Sequence, residues 1–151
     1  MTPALFAFLH HIAAFVVFGT LFAELMLLKQ ELTQPQVRLL PRIDVVYGIA
    51  AMALIVFGLV RVYFTEKGAA YYLHSATFIA KIVLFAIVGL LSIQPTRRFL
   101  AWRRELQAGR QVQPSAETLA NIRKFVHAEL ALLAIVILCA VLMARGIGYF
   151  G

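Results

Sequence analysis

The chain has 151 residues, 62% of them hydrophobic, with seven acidic and fourteen basic residues and a net charge of +7. A soluble domain is roughly 45–50% apolar, so the composition excludes an ordinary water-soluble enzyme and fits one membrane-embedded bundle. An isoelectric point near 10.1 would suggest nucleic acid in a soluble protein. Here the cations sit between apolar runs, so topology and anionic headgroups explain them and no nucleic-acid partner is expected.

Four segments reach the ~20 apolar residues that a membrane-crossing helix needs: residues 5–28, 43–64, 71–93 and 122–145. They predict an all-α, up-down four-helix integral membrane bundle, a single transmembrane domain over residues 1–151. The first segment lacks a basic leader and is too long for a signal peptide, so it is expected to be retained. It contains His10, His11 and Glu24. His10 and Glu24 lie about 40° apart around a helix, which gives this helix one polar face.

Residues 32–41 read as a short helix broken by Pro35, and the second span opens near Pro41. Asp44, Gly48, Ala51, Ile55 and Gly58 then share one face, a small-residue stripe that permits close helix approach. Thr65-Glu66-Lys67-Gly68 reads as a tight turn. In the third span His74, Phe78, Lys81, Phe85, Val88 and Ser92 fall on one stripe, ended by Gln94-Pro95. Phe99, Leu100, Trp102 and Leu106 then alternate with Arg97, Arg98, Arg103 and Arg104. That pattern predicts a short amphipathic helix on the membrane surface, its arginines meeting anionic lipid headgroups. Pro114-Ser115-Ala116-Glu117 reads as the start of the last helix. Cys139 is the sole cysteine and sits in an apolar run, so no intrachain disulfide can form.

Lys29, Arg38, Arg42, Arg97, Arg98, Arg103, Arg104, Arg110, Arg123 and Lys124 fall on one side of the bundle. Only Arg61, Lys67 and Arg145 fall on the other. The positive-inside rule then places both termini outside, in the periplasm if the bilayer is a bacterial inner membrane.

With this topology the ionisable residues form two layers. The inner layer holds Glu24, Asp44, His127 and Glu129 beside Arg42, Arg123 and Lys124. Its carboxylates are expected to pair with those cations. His127 and Glu129 project about 160° apart and cannot share a target. A metal site made by Glu24, Asp44 and His127 is the minor alternative.

The outer layer holds His10, His11, Arg61, His74 and Lys81. Intramembrane histidines serve as interhelical hydrogen-bonding groups, metal or haem ligands, or proton carriers. Two helices bring histidines to one depth, and this favours haem b, with His10 and His74 as ligands to the iron and His11 as substitute or hydrogen-bond partner. Phe15, Phe18 and Phe78 would line the slot, and Arg61 and Lys81 would meet the propionates. Lys81 is also the residue expected to act on a substrate. The alternatives are a carrier or channel for protons or a small anion, lined by Lys81, His74 and Glu24, and a structural subunit of a membrane complex. A homo-oligomer is compatible with either. No phosphate loop, HExxH or nucleophile elbow is present.

The segments HHIAAF, DVVYGIAA, RVYFTEKGAAYY, FIAK and SIQPTRRFLAWR resemble a family of small bacterial four-helix membrane proteins of unknown function, over nearly the whole chain. More distantly, the chain is similar to the HemJ-type protoporphyrinogen oxidases, which place a histidine early in the first span and a lysine in a later one. His10 (or His11) and Lys81 match those positions. This second resemblance implies haem b and a membrane oxidoreductase. Arg123, His127 and Glu129 reproduce that family's Arg–Asn–Glu pattern only loosely, and AAFVVFG replaces its tryptophan-glycine run.

Overall fold

Apolar segments in hydrocarbon must satisfy their own backbone polar groups, which for a single segment means a helix. The computed structural model describes residues 2–65 and 69–150. Its helices are α1 (Thr2–Leu28), α2 (Gln34–Val60), α3 (Ala69–Leu73), α4 (Ala76–Gln107) and α5 (Ala116–Ala144). All except the five-residue α3 are long and apolar enough to cross a membrane. The chain is an all-α membrane bundle.

α1 pairs with α2 and α4 with α5 as two hairpins, and the hairpins join through the α1–α5 and α2–α4 seams. The α1–α2 and α4–α5 connections lie at one end, called here the basic end. The termini and the α2–α4 connection lie at the other, the terminal end.

Several boundaries differ from the sequence expectation, each for a local reason. α2 starts nine residues before residue 43, because Thr33 forms a capping box with Gln36, whose Oε1 accepts from the Thr33 N–H at 2.8 Å. Pro35 therefore sits in the first turn, where its missing N–H costs nothing, and it does not break a helix. Pro41 lies inside α2. Beyond Val60 the helix widens into a π turn over Arg61–Thr65. Residues 66–68 of the expected tight turn, Lys67 among them, lie outside the described residues.

The third span is interrupted near its start. α3 ends at Leu73 and α4 begins at Ala76, with Ser75 Oγ capping the Phe78 N–H. His74 thus falls in the break and does not share the α4 stripe with Lys81. The C-terminal tail folds over this break: Ala76 N–H donates to the Gly148 carbonyl (2.8 Å) and Phe150 N–H to the His74 carbonyl (3.0 Å). Gly148 has φ +88°, and a Cβ there would lie 2.9 Å from Thr77 Cγ2, so both backbone and space call for glycine.

The expected surface helix over residues 96–106 is also corrected. α4 runs unbroken through Pro95 to Gln107. Phe99 and Trp102 turn inward, with rings 5.4 Å apart, while Arg97, Arg98, Arg103 and Arg104 stay exposed. The amphipathy is real, but its apolar face completes the bundle core and does not lie on lipid. At α5 the expected start holds: Ser115 Oγ accepts from the Thr118 N–H.

The core is uneven along its length. Its residues include Val17, Leu21, Leu25 and Leu28 of α1, Val37, Leu40, Tyr47 and Ala50 of α2, Val88, Phe99 and Trp102 of α4, and Ile122, Val126 and Leu133 of α5. Among the described residues nothing in α2 after Ala50, in α4 before Val88 or in α5 after Leu133 is buried. The basic half is packed; the terminal half is thin. Large apolar side chains on the outside, such as Phe15 and Leu90, face what hydrocarbon would cover.

Candidate functional site

The helices pack through stripes spaced three and four residues apart. On α1 the stripe reads Val17, Leu21, Glu24, Leu28. On α2 it reads Val37, Leu40, Asp44, Tyr47, and on α5 Ile122, Val126, Glu129, Leu133. Three acids therefore occupy positions that the pattern reserves for core hydrophobes. The bundle brings them together inside the packed half: Glu24 is 1% exposed, Asp44 6% and Glu129 0%.

Thr96 Oγ1 donates to Asp44 Oδ1 at 2.8 Å, tying α4 to α2. Tyr47 Oη donates to Glu129 Oε2 at 3.3 Å, tying α2 to α5. Glu24 Oε1 and Glu129 Oε1 are buried with no hydrogen-bond partner. Glu24 lies close enough to interact electrostatically with both Asp44 and Glu129.

Apolar residues pack around the cluster toward the basic end. α2 begins ten residues before Asp44 and α5 thirteen before Glu129, which at 1.5 Å per residue is about 15 and 20 Å of further helix toward the basic end. Leu40, Ile122 and Val126 from these extensions are buried, as is Phe99 of α4.

The expected ion pairs do not form. Among the described residues no salt bridge links these acids to Arg42, Arg123 or Lys124; Arg42 and Lys124 are exposed and Arg123 is half-buried. His127 is exposed as well, its Nδ1–H donating to the Arg123 carbonyl at 2.8 Å. The metal site of Glu24, Asp44 and His127 is not assembled, and no group of three His, Cys, Asp or Glu among the described residues could hold a metal ion. His127 and Glu129 do point apart, with Glu129 facing this bundle's own core. Tyr47 and Thr96 escaped the sequence reading. Tyr47 follows Asp44 by three residues, a signal that was legible; Thr96 lies beyond Pro95, where the span was expected to have ended.

The outer set is only partly gathered. His10 is half-buried, and its Nδ1–H donates across the hairpin to the Leu54 carbonyl at 3.1 Å. Gly58 makes room for this ring, since a Cβ there would lie 3.2 Å from His10 Cε1. Arg61 and Lys81 lie near enough to act electrostatically on His10 and on each other. The Lys81 ammonium also sits 5.1 Å from the centroid of the Phe78 ring. His11 is exposed and bonds back to the Ala7 carbonyl, with its ring 6.1 Å from that of His10.

His74 does not join them. It is exposed, its Nδ1–H donates to the Ala70 carbonyl at 2.8 Å, and its ring lies against Phe150 at 6.0 Å. A haem held between His10 and His74 therefore does not fit this arrangement.

Fold and site together define a polytopic α-helical membrane protein with a carboxyl cluster sealed in one half of its core. The chain belongs to the family described as "Predicted membrane protein (DUF2214)", which it matches over residues 2–148. No curated protein and no solved structure matches it, so the likeness to protoporphyrinogen oxidases gains no support from these comparisons.

Proposed function

We propose that the protein binds protons within the membrane and passes them across it, with Glu24 and Glu129 as acceptors and Asp44 and Tyr47 completing the site. One observation carries the reading: Glu24 and Glu129 each bury an unpartnered carboxyl oxygen in a core to which none of the described residues brings a cation. Enclosing an isolated negative charge costs several kcal/mol even after relaxation. Ionisable groups at such depth commonly mark proton or ion paths. The thin terminal half, with Lys81 and His10 facing its interior, supplies the other part of the route. His74, placed on that route by the sequence, lies off it.

By the positive-inside rule the basic end faces the cytoplasm of a bacterial inner membrane and both termini face the periplasm. The test is proton flux into proteoliposomes under an imposed potential, followed with an entrapped pH dye. Glu24→Gln and Glu129→Gln should each slow it about tenfold or more, the factor given by a barrier rise of about 1.4 kcal/mol. Flux equal to wild type in both variants would rule the proposal out.

The thin packing of the terminal half favours a second reading. Haem b would be held there by His10 as its one ligand from this chain, with Arg61 and Lys81 toward its propionates. The group would supply one-electron chemistry, and this chain's part would be ligation by His10 and charge balance by the two cations. Protein purified from cells fed a haem precursor should then show a Soret band that His10→Ala removes; its absence from wild type would end this reading.

A further inference from the structure

At the basic end, where the start of α2 meets the end of α4, there is an open cleft of about 520 Å³ lined by Arg38, Arg42, Arg103, Pro41, Val45 and Gln107. Arg38 and Arg42 are one helical turn apart and so share a face of α2. Arg103 comes to them from α4 because that helix continues through Pro95; a separate surface helix would leave it elsewhere. None of the three arginines is in an ion pair among the described residues, and no acidic side chain lines the cleft. Three cations are thus gathered around one space without a counter-charge. The walls between them are apolar, formed by Pro41 and Val45, with Leu106 from α4.

Guanidinium groups present planar donor forks that match phosphate oxygens. Basic pockets between transmembrane helices at a membrane surface suit phospholipid headgroups. We infer that this cleft is a binding site for an anionic diacyl phospholipid, its phosphate held by Arg38, Arg42 and Arg103 and its acyl chains leaving along Pro41 and Val45. A free phosphate ion would share the charge chemistry but would leave those apolar walls unused. This inference is independent of the proton reading.

The experiment is native mass spectrometry of the detergent-purified full chain, titrated with phosphatidylglycerol or with phosphatidylcholine. Wild type should retain phosphatidylglycerol preferentially. Each of Arg38→Gln, Arg42→Gln and Arg103→Gln should weaken retention about fivefold, the factor equivalent to about 1 kcal/mol per cation at an anionic surface. Arg110→Gln and Lys124→Gln, exposed at the same end but outside the cleft, should leave it unchanged. All five positions are exposed, and circular dichroism checks that each variant is folded. Equal loss from the Arg110 and Lys124 variants, no preference for the anionic lipid, or displacement of the lipid by millimolar inorganic phosphate would each overturn the assignment.

Discussion

At the scale of single residues, what sets this chain apart is where its acids sit. Glu24, Asp44 and Glu129 each take a place in a stripe of core hydrophobes, and two of them keep an oxygen without a partner. Asp44 is held differently, through the Thr96 hydroxyl. Removing that donor leaves a buried carboxyl unsatisfied, which costs about 1–3 kcal/mol. Thr96→Val should therefore lower the thermal stability of the detergent-solubilised protein by that amount, and an unchanged melting temperature would deny the bond.

That Glu24 and Asp44 share one layer was legible from spacing alone. Their lack of cationic partners was not. Arg42, Arg123 and Lys124 are near in depth, but none of them turns to the acids: Arg42 and Lys124 are exposed and Arg123 half-buried, a choice that spacing does not encode. The outer histidines show the same limit. Three of the four histidines bond to the carbonyl four residues back on their own segment, and only His10 reaches across to another helix.

At the scale of elements, α4 decides the geometry. A proline inside a helix removes one backbone bond and usually bends or ends it, so the sequence reading stopped the third span at Pro95. The helix continues because Pro95, Phe99 and Trp102 form one buried face that anchors the following turns. Phe99→Ala should therefore be severe, about 3–5 kcal/mol as for a buried aromatic in a packed core. If residues 96–106 lay on the lipid surface, the same change would barely move the unfolding midpoint. The α4 start was misread for the opposite reason. Apolar character runs on through residues 71–75, and only the Ser75 cap and the returning tail reveal the break.

At the scale of the whole molecule, four spans, their helical class and their antiparallel pairing were all readable, because the bilayer sets their length and composition. The division into a packed basic half and a thin terminal half was not readable, since apolar runs extend through the terminal half of every span as well and burial depends on how the hairpins meet. The proposed orientation has a direct check. With Cys139→Ala as background, Arg145→Cys should react with a membrane-impermeant maleimide in spheroplasts and Gln111→Cys should not; the reverse pattern would invert the topology.

The central claim is that acids sealed in the core hold protons that exchange with water. Infrared spectroscopy of the lipid-reconstituted protein tests it most directly. The account predicts a carboxylic-acid carbonyl band that shifts in heavy water and loses intensity in Glu24→Gln and in Glu129→Gln. Finding only ionised carboxylate bands, or an acid band that both variants leave intact, would contradict it.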